Sequence, residues 1–144
     1  MRVTLGRKGD YAVRAVLDLA QHTDGGRRRK TREIAAATAV PENYLPQILA
    51  DLVAAGLVVS MPGRDGGYTL ARAAADISLL GVIEAVEGAV ELSECVLVNG
   101  PCSSDTECAV HRFWSAAQEA FRQQLAATSF ADIAAVSRLL EATS

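Results

Sequence analysis

Apolar side chains recur at helical spacing over residues 10–21, where Val13, Val16, Leu17 and Ala20 share one face. The glycines of His22-Thr23-Asp24-Gly25-Gly26 end that helix in a turn. After the basic run Arg27-Arg28-Arg29-Lys30, Thr31 is placed to cap a short helix with Ile34 and Ala35 inward. Thr38-Ala39-Val40 reads as a tight turn, and Pro41, whose missing N–H is harmless there, opens a second helix. Tyr44, Leu45, Ile48, Leu49 and Leu52 form its apolar stripe. Pro46 is tolerable because the first four N–H groups of a helix have no internal partner, and Gly56 closes the helix.

The period then changes. Residues 57–60 and 68–70 read as two short strands, joined by Met61-Pro62-Gly63-Arg64-Asp65-Gly66-Gly67 as a hairpin with a long tip. Residues 78–86 predict another short helix ended by Gly88. The stretch 91–108 is irregular, with Asn99-Gly100-Pro101 as a turn signal. A long helix is expected over residues 109–127, with Phe113, Trp114, Ala117, Ala120, Phe121 and Leu125 on its apolar side. Ser129 and Asp132 form a capping-box-like start to a last helix carrying Ile133, Val136, Leu139 and Leu140. The expected fold is mainly α with a small β-hairpin. Two short helices joined by a tight turn, then a hairpin, is the order of a winged helix-turn-helix.

Composition sharpens this picture. The 144 residues suit one domain or a small domain with an extension, and seven aromatic residues leave Ala, Val and Leu to fill the core. The net charge of −3 conceals a split. Residues 1–75 hold eleven Lys or Arg against seven Asp or Glu, and residues 76–144 hold three against ten. A basic first part points to phosphate, so residues 1–75 are assigned to DNA binding and 76–144 to a second task. The three cysteines, Cys95, Cys102 and Cys108, cannot close into intrachain pairs without a remainder, and no secretory or membrane-spanning segment is evident. A soluble cytoplasmic protein with no membrane partner is expected, in which clustered thiols suggest metal or redox chemistry.

A recognition helix enters the major groove while a wing reaches backbone or minor groove. Asn43 and Gln47 carry the donor–acceptor amides that read base edges, and Tyr44 carries a phosphate-bonding hydroxyl. Arg64, among tip glycines, suits a minor groove. Arg7, Lys8 and the run 27–30, represented by Arg28, suit phosphates. Each also has a plain reading as a solvated or packed side chain. The order of the elements and the charge split favour double-stranded DNA.

The ordered set Gly9-Asp10-Tyr11-Ala12-Val13-Arg14-Ala15, Asn43-Tyr44-Leu45-Pro46-Gln47-Ile48-Leu49, Gly56-Leu57-Val58, Gly66-Gly67-Tyr68, Val82-Ile83-Glu84-Ala85-Val86-Glu87-Gly88 and Cys108-Ala109-Val110-His111 resembles the iron–sulfur cluster regulators of the IscR type. The resemblance implies a homodimeric winged helix-turn-helix repressor, with the long helix at Phe113 to Leu125 forming most of the dimer contact. It implies a cluster held by Cys95, Cys102 and Cys108 in the loop 91–111. Two residues match known fourth ligands. His111 matches the histidine of 2Fe–2S members, and Asp10 matches the aspartate that completes 4Fe–4S sites in nitric-oxide-sensing relatives from the partner subunit. The chain departs from some members in having Pro46 for a glutamate, Pro62 for a wing arginine and a first cysteine spacer one residue longer.

The residues alone give C-x6-C-x5-C-x2-H. Soft thiolates suit iron, and Cys108 and His111, three apart at a helix start, share a face. Zinc is disfavoured by the absence of a C-x2–4-C pair, and reactive thiols without metal remain the other reading. The resemblance implies as preferred cofactor a 2Fe–2S cluster on Cys95, Cys102, Cys108 and His111, with 4Fe–4S through Asp10 as the alternative. No phosphate loop, triad or paired-acid motif appears, so no enzyme and no small-molecule substrate are expected. The alternative from another class is an electron carrier or cluster-transfer protein that does not bind DNA.

Overall fold

The computed structural model describes residues 2–23, 26–90 and 108–144. The chain is mainly helical with one antiparallel hairpin, in the order α1 (Arg7–His22), α2 (Thr31–Thr38), α3 (Leu45–Ala54), β1 (Val58–Met61), β2 (Gly67–Leu70), α4 (Leu79–Glu87), α5 (Ala109–Ala127) and α6 (Phe130–Ala142). It is a winged helix-turn-helix followed by a long helix and a final shorter one.

The first helix is central and packs against α2, α3, α4 and α6. Its Ala12, Ala15, Val16 and Leu19 are fully buried. It begins three residues before the periodicity predicts, because its cap comes from another element. The Gly9 N–H donates to Glu87 Oε1 at 3.0 Å, from the last residue of α4. A Cβ on Gly6 or Gly9 would collide with that carboxylate, so two glycines make room for it. A carboxylate at a helix start also meets the positive end of the helix dipole.

Thr31 is not the cap of α2. Lys30 holds that position, and its backbone N–H donates to Glu33 Oε1 at 2.9 Å. The carboxylate three residues on supplies the capping bond and leaves Thr31 inside the first turn. The helix ends on Ala39 at φ 60°, ψ 20°, the left-handed region that costs an L side chain roughly 1–2 kcal/mol. Ala39→Gly is therefore expected to raise stability by about 0.5–1 kcal/mol after glycine's own entropy cost. A higher urea midpoint with an unchanged slope checks it, and a lower midpoint would count against the strain argument.

The second helix of the pair does not open at Pro41. A 3-10 turn, Glu42–Tyr44, comes first and α3 starts at Leu45. Pro46 is the cause. It has no N–H for the Glu42 carbonyl, which is taken instead by the Leu45 N–H in the tighter bond pattern. Leu45, Ile48, Leu49 and Leu52 are buried as predicted, whereas Tyr44 is 43% exposed and outside the apolar stripe.

In the wing, Val58 faces Leu70 and Met61 faces Gly67. A third, one-residue rung lies beside it. Arg29 and Tyr68 exchange backbone bonds of 2.9 and 2.8 Å, and a Cβ on Gly67 would strike the Arg29 carbonyl. This rung is too short to leave a period in the sequence.

Ser78 caps α4, accepting from the Gly81 N–H at 2.9 Å. The predicted capping box of α6 forms: Asp132 N–H to Ser129 Oγ at 3.1 Å and Ser129 N–H to Asp132 Oδ2 at 2.9 Å. The inward face of α6 is set by Phe130 and Ala134 rather than by Val136, Leu139 and Leu140, which are 55%, 68% and 64% exposed. The chain meets α4 at the start of α6, where Phe130 N–H bonds the Ile77 carbonyl and Leu79 N–H the Thr128 carbonyl, both at 2.9 Å. One core therefore runs across position 75, joining Leu19, Ile34, Leu45 and Leu49 to Ile77, Val82, Val86 and Phe130.

Candidate functional site

The recognition side is built on the 3-10 turn and the first turn of α3. Asn43, Tyr44 and Gln47 are all exposed there. The Tyr44 ring is tilted 50° against Tyr11 at 5.8 Å between centroids, and the Arg7 guanidinium lies 5.9 Å from the Tyr44 centroid. The tyrosine thus draws a cation from α1 to the recognition face, with a weak cation–π attraction at this exposure. Gln47 gives one amide N–H to Asp51 Oδ1 at 3.1 Å, leaving its other N–H and its oxygen for a base edge. Lys8 is exposed beside Arg7 in the first turn of α1.

The basic run at 27–30 is not one surface. Arg27 and Arg28 are exposed, but Arg29 turns inward. It grips the buried Asp18 with two bonds, Nε to Oδ2 and Nη2 to Oδ1, each 3.0 Å. His22 Nδ1 lies 3.1 Å from the same Asp18 Oδ1, and Glu33 Oε2 lies 3.5 Å from Arg29. The hydrogen bond to Asp18 raises the Arg29 pKa further, so it stays a cation. Arg29 is thus removed from the expected phosphate contacts. The Lys30 N–H, and then the cations Arg29, Arg27 and Arg32, hold the Glu33 carboxyl below its ordinary value. Lys30 reaches the wing, its Nζ donating to the Arg64 carbonyl at 2.6 Å. Arg64 itself is exposed at the tip.

Of the candidate ligands, Cys95 and Cys102 lie outside the described residues. Cys108 is half-buried at the N-cap of α5, and His111 is one turn on, its N–H bonded to the Cys108 carbonyl at 3.0 Å. His111 Nε2 is 3.1 Å from Ser115 Oγ, a contact that orients the ring. Asp10 sits in the first turn of α1, with Oδ1 held by Arg14 Nε at 3.0 Å. Among the described residues no three His, Cys, Asp or Glu side chains come together as a metal site. Cys108 and His111, three positions apart at the α5 start, supply a thiol and an imidazole, soft and borderline donors of the kind that would hold iron.

No residue of α5 is buried, and Phe113 is 76% exposed. An apolar groove lined by Leu5, Leu79, Ile83, Phe121 and Leu125 lies between the N-terminal segment, α4 and α5. Among the described residues no helix is long and apolar enough to cross a membrane.

Residues 5–136 match the family model of Rrf2, the iron-dependent transcriptional regulators. The chain belongs to the Rrf2 family. It is 36% identical over 135 residues to the helix-turn-helix regulator ORF2 of Azotobacter vinelandii, covering 94% of this chain and 80% of that one. It is 37% identical over 110 residues to IscR of Vibrio vulnificus, covering 76% of this chain and 64% of IscR. Among solved structures, CymR, the global cysteine regulator of B. subtilis, superposes with a TM-score of 0.81 at 27% identity, over 94% of this chain and 98% of CymR. IscR of T. potens superposes with a TM-score of 0.74 at 30% identity, over 94% and 88%. This Rrf2 protein is a DNA-binding transcriptional regulator, and its relatives are described as regulators, not enzymes.

Three residues that shape or charge this surface leave little trace in the sequence. Asp18 has the period of a helix surface yet is buried. Glu87 lies 78 positions from the glycine it caps. Arg32 stands in the first turn of α2, outside the run of four cations at 27–30.

Proposed function

We propose that this Rrf2 regulator is a homodimeric repressor whose operator binding is controlled by an iron–sulfur cluster on Cys95, Cys102, Cys108 and His111. The observation that carries the reading is the placement of Cys108 at the N-cap and His111 in the first turn of α5, with Ser115 orienting the imidazole. Engagement of Asp10 by Arg14 favours His111 as fourth ligand, hence 2Fe–2S, over the 4Fe–4S nitric-oxide-responsive alternative. A bound cluster supplies redox-active iron that fixes several side chains to one point. Residues 1–75 bind DNA through Asn43, Tyr44, Gln47, Arg7, Lys8, Arg28 and Arg64. Residues 76–144 sense and dimerise, the exposed Phe113 face of α5 supporting a partner there. A thiolate site needs a reducing compartment, which supports a cytoplasmic setting. Cys95 follows Glu87 by eight positions in the chain, so a cluster that joined it to the α5 start would load the end of α4, whose Glu87 carboxylate caps α1 at Gly9, and α1 packs on α3. DNA affinity changes only as far as DNA distinguishes the two arrangements.

A second reading, favoured by the likeness to CymR and by the apolar groove beside Leu5 and Phe121, is a regulator that answers a small ligand and holds no cluster. Anaerobic reconstitution with visible and resonance Raman spectra, followed by titration with the protein's own promoter DNA, separates the two. The expected result is a coloured protein whose spectrum is lost in His111→Ala and kept in Asp10→Ala, with operator affinity differing between the cluster-bound and cluster-free forms. Loss in Asp10→Ala alone moves the reading to 4Fe–4S. A colourless protein that still binds its promoter selects the second reading.

A further inference from the structure

An open cleft lies between the start of α2 and the wing tip, lined by Lys30, Thr31, Arg32, Glu42 and Arg64. Three cations face one carboxylate there, and Arg32 and Arg64 are exposed. Elements far apart in sequence build the cleft: the start of α2, the 3-10 turn with Glu42, and the wing tip, which Lys30 Nζ holds through the Arg64 carbonyl at 2.6 Å. An ammonium has three donors, so that bond leaves two for a ligand. Glu33, the nearest acid on α2, does not compete, because the Lys30 backbone N–H and Arg29 engage its two oxygens. The Thr31 hydroxyl adds a neutral donor at the same place.

We propose that Lys30 and Arg32 seat one backbone phosphate of the DNA duplex in this cleft, and that Lys30, through the Arg64 carbonyl, fixes the wing tip to that phosphate. The inference rests on the DNA-binding reading and adds a contact to it. Its chemistry is that of a phosphodiester: a compact anion met by an ammonium, a guanidinium and a hydroxyl, none of which reads sequence. Arg64 keeps its own side chain for the groove while its backbone is clamped. Lys30 is thus both a phosphate ligand and a positioning residue for the wing, and Arg32 is a ligand only.

The test is the salt dependence of binding by the full-length protein, with its promoter duplex and with an unrelated duplex of equal length. The double variant Lys30→Gln with Arg32→Gln is expected to lower the log K against log salt slope by about 0.9, the value of one phosphate, on both duplexes. Between 50 and 200 mM salt that is a salt sensitivity about 3.5-fold smaller than in the wild type. The losses from Lys30→Gln and Arg64→Ala should be non-additive, since both act on the wing tip, while those from Arg32→Gln and Arg64→Ala should add. Thermal midpoints close to the wild type exclude unfolding as the cause. Wild-type binding with an unchanged slope in the double variant overturns the clamp alone. Wild-type protein without affinity for any duplex overturns the DNA reading, and the clamp with it.

Discussion

Phe130→Ala is expected to cost about 3–5 kcal/mol of folding free energy, the range for removing a fully buried aromatic ring. For a protein with about 5–15 kcal/mol in total, that is enough to populate the unfolded state at growth temperature. The ring has no exposure and belongs to the cluster that holds Leu19, Leu45 and Leu49 of the DNA-binding part. Its backbone cannot drift to fill the void, because Phe130 N–H and Leu79 N–H are bonded to the Ile77 and Thr128 carbonyls. A site that cannot collapse keeps its cavity and pays the upper part of the range. Promoter affinity should fall with stability, although residue 130 lies far along the chain from Asn43 and Gln47. Urea unfolding followed by circular dichroism measures the loss, and a change below about 1 kcal/mol would show that α6 is not part of the shared core.

That shared core also explains how far the sequence was legible. Signals written within one element were readable. The period of α1 and of α3, the Ser129–Asp132 capping box and the glycine-rich wing tip each depend on neighbours a few residues away. What was hidden depends on pairings across the chain. The early start of α1 needs Glu87, 78 positions away, and the inward turn of Arg29 needs Asp18. The late start of α3 was in principle readable, since Pro46 deprives the Glu42 carbonyl of its helical partner. In α6 the periodic apolar residues Val136, Leu139 and Leu140 were real but face outward, because α6 packs on α1 through the side that carries Phe130, Ile133, Ala134 and Ser137. Asn43, Tyr44 and Gln47 are exposed together, Tyr44 against its place in the apolar stripe, while Arg29, one of the four cations at 27–30, is held by Asp18.

Asp18→Ala should be nearly as damaging, by about 3 kcal/mol, the lower end of the range for breaking a buried ion pair. The lower end applies because the Arg29 side chain keeps 15% exposure and a 3.5 Å contact with Glu33 when its main partner is gone. Arg29→Met should cost at least as much, since it leaves a carboxylate with 2% exposure whose remaining charged neighbour among the described residues is His22. The double change Asp18→Leu with Arg29→Met is expected to recover most of the loss, because it removes both desolvated charges together. The functional consequence separates packing from charge. Arg29 also pairs its backbone with Tyr68 in β2, so its side chain anchors the base of the wing to α1. If Arg29 contributes only that anchor, the stabilised double variant binds promoter DNA with the wild-type salt slope. If Arg29 instead turned outward to a phosphate, the slope would fall by about 0.9 in Arg29→Met and in the double variant alike. The bidentate grip of Asp18 predicts the first outcome, and it leaves Arg27, Arg28, Lys30 and Arg32 as the cations of this segment for the proposed DNA contacts.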